Sequence, residues 1–146
     1  MPYFETSRYR VEAMIELSSI QPGETVADLG SGDGRISIAF ANKGGVVTGY
    51  ELDSDLVKRS NDLINKAEVN QNTQILNKDF WIADLSRFDI ITIYPMPDIM
   101  LSLEEKLLNE LKPGARVLTN YYQFPKWKKI GCKNHIYLYQ KHYKLT

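Results

Sequence analysis

The sequence predicts one α/β domain whose central sheet is mostly parallel, carries helices on both faces and ends in an antiparallel hairpin. Predicted strands alternate with predicted helices along most of the chain, which is the pattern of a parallel sheet built from strand-helix-strand units. A glycine-rich turn follows the first buried strand directly, as in doubly wound sheets. The 146 residues, 43% hydrophobic and 25% charged, suffice for one core, so we expect a single domain over residues 1–146.

Short apolar and β-branched runs give the predicted strands, and apolar residues at helical spacing give the predicted helices. Strands are expected at residues 24–29, 46–51, 73–76, 90–94 and 116–120, with the hairpin ending in a strand at 136–140. Helices are expected around residues 11–18, 36–40, 56–64 and 98–111, the third of them capped by Asp53 or Ser54. The domain then divides into an N-terminal flap and helix (1–20), a ligand-binding core (24–120) and a basic, aromatic C-terminal hairpin (121–146).

Charge and cysteine content limit the classes of protein that fit. The single cysteine, Cys132, excludes an internal disulfide, and no apolar run reaches signal-peptide or membrane-span length, so we expect a soluble, cytoplasmic monomer without a membrane segment. The net charge is zero, but residues 121–146 carry six lysines and no acid. This basic end either attracts an acidic partner or a phosphate backbone, or only protects an edge hairpin with solvated lysines.

The stretch VADLGSGDGR, residues 26–35, has the composition of a ligand site. Gly30, Gly32 and Gly34 allow a sharp turn and a close approach of the backbone to a ligand, and the helix that follows points unpaired N–H groups at it. The spacing is G-x-G-x-G rather than the G-x-G-x-x-G of dinucleotide enzymes, and Asp33 would repel a pyrophosphate. The loop therefore indicates a nucleotide-type ligand that carries positive charge.

Carboxylates follow the next two predicted strands. Glu51 ends the second strand, 17 residues after Gly34, where doubly wound folds hold ribose hydroxyls. Asp79 follows the third strand beside Phe80, and such a pair can accept a hydrogen bond from an adenine amino group and pack on its ring. Each residue alone also fits a surface charge or a turn. Because the carboxyl ends of successive parallel strands face one crevice, the combination predicts an adenosine-type site.

No metal site is predicted from the acidic residues. Asp53 and Asp55 flank Ser54 in the manner of divalent-ion ligands, but the cap of the third helix explains both carboxylates. Cys132 lies in the C-terminal hairpin, far along the chain from the other candidates, and is expected to be a small side chain that is buried or half-buried. The chemistry is therefore assigned to the residues that follow the strands.

These motifs resemble those of the class I, seven-strand S-adenosylmethionine-dependent methyltransferases, which have a Rossmann-like fold. VADLGSGDGR is similar to their glycine loop, and GYELD, residues 49–53, to their ribose motif. The stretches PYFETS, KDFW, LEEKLLNELKPGARV, FPKW and NHIYLY resemble the small archaeal protein-lysine methyltransferases and the mitochondrial lysine methyltransferases of the ATP synthase c-subunit and the adenine nucleotide translocase. The resemblance covers nearly the whole chain. It implies methyl transfer from S-adenosylmethionine to lysine ε-amines of protein partners, which leaves S-adenosylhomocysteine.

The resemblance also implies roles for individual residues. The glycine loop would pass under the methionine part of the cofactor, Asp28 would orient its amino group and Glu51 would hold the ribose. Asp79 and Phe80 would bracket the adenine, Tyr94 would lie near the methyl group, and the N-terminal members would close a flap over the cofactor. The implied cofactor site consists of Tyr3, Thr6, Asp28, Gly30, Ser31, Gly32, Glu51, Leu52, Asp79, Phe80 and Tyr94.

A lysine acceptor needs a site that favours its neutral form and aims it at the methyl group, because the free amine has a pKa of about 10.4. A narrow apolar and aromatic channel does this without a dedicated base. The channel candidates follow the fourth and fifth strands: Tyr94, Tyr121, Tyr122, Phe124 and Trp127. We assign catalytic roles to Tyr94, Tyr122 and Trp127, with aromatic packing as the alternative for each. His135 is either a proton acceptor or part of a hairpin turn.

Two other functions stay open at the level of sequence. The lysines and aromatic residues of the C-terminal hairpin also fit single-stranded nucleic acid, so an RNA or small-molecule methyltransferase is the second hypothesis. A cofactor-binding module without catalysis is the third. Enzymes that methylate DNA bases or glutamine usually carry an acidic or amide residue before Pro-Pro-aromatic after the fourth strand. This chain has YPMP at residues 94–97 instead, which disfavours planar amines as acceptors.

Overall fold

In the computed structural model, which describes residues 6–142, strands and helices alternate before a C-terminal hairpin. The strands are β1 (Thr25–Leu29), β2 (Val46–Tyr50), β3 (Thr73–Leu76), β4 (Ile90–Ile93), β5 (Arg116–Asn120), β6 (Gly131–Lys133) and β7 (Ile136–Gln140). The helices are α1 (Arg8–Ser18), α2 (Arg35–Asn42), α3 (Ser54–Lys66) and α4 (Met100–Glu110), with short 3₁₀ helices at Phe80–Ile82 and Pro97–Ile99. Within this part of the chain, none of the helices has the length and apolarity needed to cross a membrane.

The seven strands form one sheet in the order β3-β2-β1-β4-β5-β7-β6. The first five strands run parallel, β7 pairs antiparallel with β5, and β6 pairs antiparallel with β7. The predicted parallel sheet with an antiparallel C-terminal hairpin is confirmed. The chain moves outward from β1 to β3 and then returns to β4 on the other side of β1. The carboxyl ends of β1 and β4 therefore flank the point where the strand order reverses, which is where such sheets bind ligands.

Apolar side chains cover both faces of the central strands. Side chains alternate along a strand, so Val26 and Ile90 lie in the cluster formed with α1, α2 and α3, whereas Ala27 and Ile91 lie in the cluster formed with α4. Because both faces are covered, successive residues of β1 and β4 are buried in place of an alternation of buried and exposed positions. The helices thus leave the carboxyl ends of the strands as the open edge of the sheet.

The end of β4 and the start of α4 differ from the predicted boundaries because of prolines. β4 ends at Ile93, one residue earlier than predicted, and Pro95 follows. A proline lacks the N–H for a ladder bond and restricts the residue before it. The helix expected from residue 98 begins as the 3₁₀ helix Pro97–Ile99, and α4 starts only at Met100. Tyr94 therefore lies just beyond β4, at the carboxyl edge of the sheet.

An aromatic cluster and a buried carboxylate fix the loop between β5 and β6. The rings of Phe124, Trp127 and Tyr139 have centroids 4.7 to 5.4 Å apart. The Glu104 carboxylate on α4 is buried and accepts hydrogen bonds from the backbone N–H groups of Lys126 and Trp127, at 2.8 and 2.5 Å. Trp127 is therefore held in the core on the α4 side of the sheet.

Gly49 in β2 connects the packing of the sheet to the glycine loop. A Cβ at this position would lie 2.5 Å from Ile75 Cδ1 and 2.9 Å from both Cβ and Oγ of Ser31. These separations are below van der Waals contact, so any side chain at residue 49 would force the side chains of Ile75 and Ser31 to shift. The sequence GYELD thus needs glycine at its first position for steric reasons.

We predict that Gly49→Ala lowers the free energy of unfolding by about 1–3 kcal/mol, the usual cost of overpacking a core. Gly131→Ala in β6 is the matched control, because its Cβ would meet Leu17 and Leu138 only at ordinary contact distances of 3.5 Å or more. Urea unfolding of both variants measures the difference. Equal stability of the two variants would contradict the steric account.

Candidate active site

A cavity of about 420 Å³ opens at the carboxyl ends of β1, β2 and β4. Its walls come from the glycine loop after β1, the turn after β2, the segment after β3, Tyr94 after β4, and Thr6 before α1. The volume lies in the range of small-molecule sites. The cavity lies at the edge of the sheet where the sequence predicts the ligand site.

The glycine loop at residues 30–34 is held open by backbone bonds to β2. Gly30, Gly32 and Gly34 have φ values of 70°, 58° and 88°, a left-handed conformation that side chains rarely adopt. The Tyr50 carbonyl accepts hydrogen bonds from the N–H groups of Gly30 and Ser31, at 2.9 and 3.0 Å. The loop therefore turns sharply over the end of β2 and lines the cavity with backbone.

Glu51 lines the cavity and joins two loops. One carboxylate oxygen accepts from the N–H of Gly32 at 2.8 Å, and the other accepts from the N–H of Asp53 at 2.9 Å. The side-chain amide of Asn77 donates to the Glu51 carbonyl at 2.9 Å, which fixes the backbone at this turn. The carboxylate that the sequence assigned to a ribose is thus oriented in the cavity wall by two backbone N–H groups.

Asp28 lies beneath the glycine loop and is almost completely buried. Its carboxylate accepts hydrogen bonds from the hydroxyls of Ser37, at 2.8 Å, and Thr92, at 3.1 Å. Burial is the main cause that raises the pKa of Asp28 to about 6, and the negative charge of Glu51 adds to it, while the two hydroxyls act in the opposite direction. The group lines the cavity, so its charge acts directly on a ligand there.

Asp33 and Arg35 form an ion pair at the junction of the glycine loop and α2. Asp33 Oδ2 lies 2.7 Å from Arg35 Nη2, and Arg35 Nη1 donates to the Thr6 carbonyl at 3.2 Å. The guanidinium therefore partly neutralises the acid that the sequence placed inside the loop. Among the described residues, four acidic and two basic side chains line the cavity, which favours a ligand with positive charge.

Ser31 and Ser60 complete the loop in different ways. The Ser60 hydroxyl on α3 donates to the Gly32 carbonyl at 2.8 Å and so ties α3 to the loop. The Ser31 hydroxyl is buried, lines the cavity and has no hydrogen-bond partner among the described residues. A buried hydroxyl without a partner costs free energy, so a ligand group that bonds to it would be stabilised.

The segment after β3 only partly follows the prediction. Phe80 and Leu52 line the cavity, and Leu52 is 67% exposed in the absence of a ligand. Asp79 is not part of the cavity wall; its carboxylate accepts from the N–H of Trp81 at 2.9 Å and caps the 3₁₀ helix Phe80–Ile82. Its neighbour Lys78 lines the cavity instead. The turn role that the sequence also allowed for Asp79 is the one seen here.

The three aromatic residues that were predicted to be catalytic, Tyr94, Tyr122 and Trp127, lie in different places in the structure. Tyr94 lines the cavity and is half-buried. Tyr122 is half-buried outside the cavity wall and packs against the α4 core, with its ring 5.1 Å from that of Tyr121. Trp127 is 8% exposed in the aromatic cluster of the core. These positions favour packing over contact with reactants for Trp127 and Tyr122. Tyr3 lies outside the described residues.

Three residues of the site were not assigned from the sequence. Arg35, Ser60 and Asn120 all hold the cavity wall through contacts across the fold. Arg35 closes the glycine motif and Asn120 ends a strand at the same edge of the sheet, so both positions were a signal that could have been used. Ser60 lies within a helix and gave none.

The acidic residues near the cavity do not form a metal cluster within residues 6–142. The carboxylate of Asp53 accepts from the N–H groups of Asp55 and Leu56, at 2.9 and 3.3 Å, and so caps α3. This is the role that the sequence predicted for this pair of acids. The cap also holds the turn that carries Glu51 and Leu52.

The strand order and the site together define a Rossmann-like methyltransferase of the seven-strand class. Within that class, the chain belongs to the ANTKMT methyltransferase domain family, whose model matches residues 28–131. The family resemblance inferred from the sequence motifs is thereby confirmed.

Relatives with assigned activities match over most of this chain. The lysine N-methyltransferase of the ATP synthase c-subunit from Xenopus laevis is 35% identical over 127 residues, which are 87% of this chain and 56% of the relative. The protein-lysine N-methyltransferase of Saccharolobus islandicus (strain REY15A) is 31% identical over 149 residues, covering 95% of this chain and 92% of the relative. The chain thus spans about half the length of the Xenopus protein and nearly all of the Saccharolobus protein.

A solved structure matches the fold over nearly its full length. The RNA methyltransferase from Salinibacter ruber, crystallised with S-adenosyl-L-homocysteine, superposes with a TM-score of 0.92 at 28% identity and covers 98% of this chain and 97% of that chain. The name of this protein gives RNA as the methyl acceptor, whereas the names of the Xenopus and Saccharolobus relatives give lysine. The acceptor of this chain is therefore a separate question from its fold.

We predict that Asp28→Asn stabilises the protein above pH 6 and not at pH 4. The pKa of Asp28 is raised in the folded state, so its contribution to stability is complete below the ordinary value of 3.8 and is lost as the pH rises through about 6. At pH 8 the buried charge costs roughly 3 kcal/mol, which the uncharged amide avoids.

Urea unfolding at pH 4, 6 and 8 measures this effect, with Asp62→Asn on the exposed side of α3 as the control for loss of a carboxylate. The stability difference between Asp28→Asn and the wild type should grow across this range. A difference that does not change with pH would contradict the account of Asp28.

Proposed function

We propose that this chain is an S-adenosylmethionine-dependent methyltransferase that methylates lysine ε-amines of proteins. The observation that carries the proposal is the acidic, glycine-walled cavity at the carboxyl ends of β1, β2 and β4, in a chain of the ANTKMT methyltransferase domain family. The Xenopus and Saccharolobus relatives, both named as lysine methyltransferases, support the choice of acceptor.

The residues of the cavity fit S-adenosylmethionine, whose sulfonium supplies an electrophilic methyl group. Its two positive charges, on sulfur and on the amino group, match a wall with more acids than bases. The buried Ser31 hydroxyl has no partner among the described residues and offers a hydrogen bond to a ligand. The Salinibacter ruber structure, with S-adenosyl-L-homocysteine bound, supports the same ligand class for this fold.

Each part of this ligand has a candidate partner in the chain. Asp28 and the backbone of the glycine loop would hold the methionine part, and Glu51 would accept hydrogen bonds from the ribose hydroxyls. Leu52 and Phe80, which line the cavity, would contact the adenine ring. Asp79, occupied as a helix cap, is the least suited of the predicted partners in this structure.

The acceptor amine must lose its charge before it can attack. A lysine ammonium brought into the cavity beside Tyr94 and a sulfonium would be disfavoured by desolvation and by like-charge repulsion, so its proton would pass to water. The amine lone pair then forms the new bond to the methyl carbon as the bond to sulfur breaks. Tyr94 is half-buried at this edge and would help to orient the amine.

RNA is the second candidate acceptor, supported by the name of the Salinibacter ruber protein and by the basic C-terminal hairpin. Stacking of bases requires accessible aromatic rings. Phe124 and Trp127 are buried in the core, which removes two of the four rings that the sequence offered for stacking. This burial favours protein over RNA as the acceptor.

We also propose that the protein is a monomer and works in a reducing, cytoplasmic environment. Cys132 is exposed, so the expectation of a buried or half-buried side chain was wrong, because the residue lies on the edge strand β6. Its free thiol fits a reducing compartment. Cell fractionation and light scattering test these two points, and recovery of the protein as a stable dimer or in another compartment would contradict them.

The direct test is incubation of the purified protein with methyl-labelled S-adenosylmethionine and a host-cell extract, followed by mass spectrometry. We expect label on lysine side chains. Protease should release this label from the macromolecules of the extract, and ribonuclease should not. Label that survives protease and is lost with ribonuclease would favour RNA. Absence of any transfer would contradict the enzyme assignment.

Glu51→Ala should weaken binding of S-adenosylhomocysteine by about 1.5–3 kcal/mol, the value of hydrogen bonds to a charged acceptor. Calorimetry measures the affinity, and Glu105→Ala at an exposed position of α4 is the matched control. Unchanged affinity in Glu51→Ala would remove Glu51 from the cofactor site.

Tyr94→Phe should leave the affinity for S-adenosylhomocysteine within about twofold and reduce kcat by at least about tenfold, because the loss is confined to orientation of the acceptor. Steady-state methylation of a lysine-rich protein measures kcat. An unchanged kcat would show that the hydroxyl takes no part in the reaction.

A further inference from the structure

Thr6 forms part of the cavity wall and is held from two directions. Its carbonyl accepts from Arg35 Nη1 at 3.2 Å, and Arg35 is in turn paired with Asp33 in the glycine loop. Its hydroxyl accepts from Asn120 Nδ2 at 3.2 Å. Thr6 is 5% exposed although it lies before the first helix. The segment that begins there is thus pinned to both the glycine loop and the end of β5.

Asn120 has no exposed surface and is the last residue of β5. In the parallel pairing of β4 and β5, Ile93 lies opposite Thr119, so Tyr94, just beyond β4, and Asn120, the last residue of β5, lie at the same edge of the sheet. The Asn120 side chain accepts from Arg10 Nη1 at 3.4 Å and donates to Thr6. Its amide therefore bridges α1 and the N-terminal wall of the cavity.

An amide suits this place for a chemical reason. The Asn120 oxygen accepts from the Arg10 guanidinium and the Asn120 nitrogen donates to the Thr6 hydroxyl, so both polar atoms of this buried side chain have partners. Apolar side chains would leave the buried Thr6 hydroxyl without its partner from β5, at the cost of an unsatisfied group. Asparagine thus satisfies the hydrogen bonds available at this buried position.

We propose that Asn120 is a positioning residue that acts through the Thr6 hydroxyl to hold the N-terminal wall of the cofactor cavity. The inference rests on the proposed function, because it takes S-adenosylmethionine as the ligand of that cavity. Asn120 does not line the cavity itself; it fixes Thr6, which does. Loss of the bond lets Thr6 leave the wall, so part of the binding free energy of the cofactor is then used to order it.

A double-mutant cycle on the full chain tests this path, with the affinity for S-adenosylhomocysteine measured by calorimetry. Thr6→Val and Asn120→Ala should each weaken binding about 3- to 10-fold, the range for one hydrogen bond. The double variant should bind no more weakly than the weaker single variant, because both changes remove one bond. Thr6→Ser, which keeps the hydroxyl, should stay within about twofold of the wild type.

The outcomes separate the two proposals. If the wild type binds and the two losses multiply in the double variant, Asn120 acts through Arg10 or the strand, and the inference is overturned. If Asn120→Ala does not fold, equal affinities of Thr6→Val and Thr6→Ser overturn it instead. Absence of binding by the wild type contradicts the proposed function and this inference with it. Asn109→Ala, at an exposed position of α4, should match the wild type.

Discussion

The candidate site depends on the hydrogen bonds by which the end of β2 holds the glycine loop. The Tyr50 carbonyl binds two loop N–H groups, and the Glu51 carboxylate binds that of Gly32. Three glycines in left-handed conformation lose much chain entropy on folding, and these bonds offset that loss. Since Gly49 lies directly under Ser31, the packing of β2 and the shape of the loop are fixed together. A ligand meets a wall that is already formed.

The glycine loop brings negative charges together at a place where burial makes them unfavourable for the stability of the fold. Asp28 is buried beneath the loop without an ion-pair partner of its own in the described residues, whereas Asp33 is paired with the guanidinium of Arg35. A buried carboxylate costs free energy in the absence of a ligand and favours one that brings positive charge. The cavity thus trades stability for affinity, as sites often do. The same charges disfavour polyphosphate ligands, in agreement with the G-x-G-x-G spacing.

The sequence predicted the sheet, the loop and the edge where the site lies, because parallel strands bring their carboxyl ends together wherever they are in the chain. It could not decide between roles that one residue type can fill. Asp79 caps its own turn, and Trp127 is drawn into the core by Phe124, Tyr139 and a buried glutamate. Contacts across the fold were also hidden, since 114 positions separate Asn120 from Thr6. Local sequence patterns predict which edge of the sheet holds the site, but they do not predict which distant residues contact each other at that edge.

Amide hydrogen exchange, measured with and without saturating S-adenosylhomocysteine, tests the central claim most directly. S-adenosylhomocysteine should slow exchange in residues 28–34, 50–53 and 80–82 and leave the rest of the sheet unchanged, and ATP at the same concentration should give no such protection. Unaltered exchange in these segments, or protection confined to another surface, would contradict the assignment of this cavity as the cofactor site.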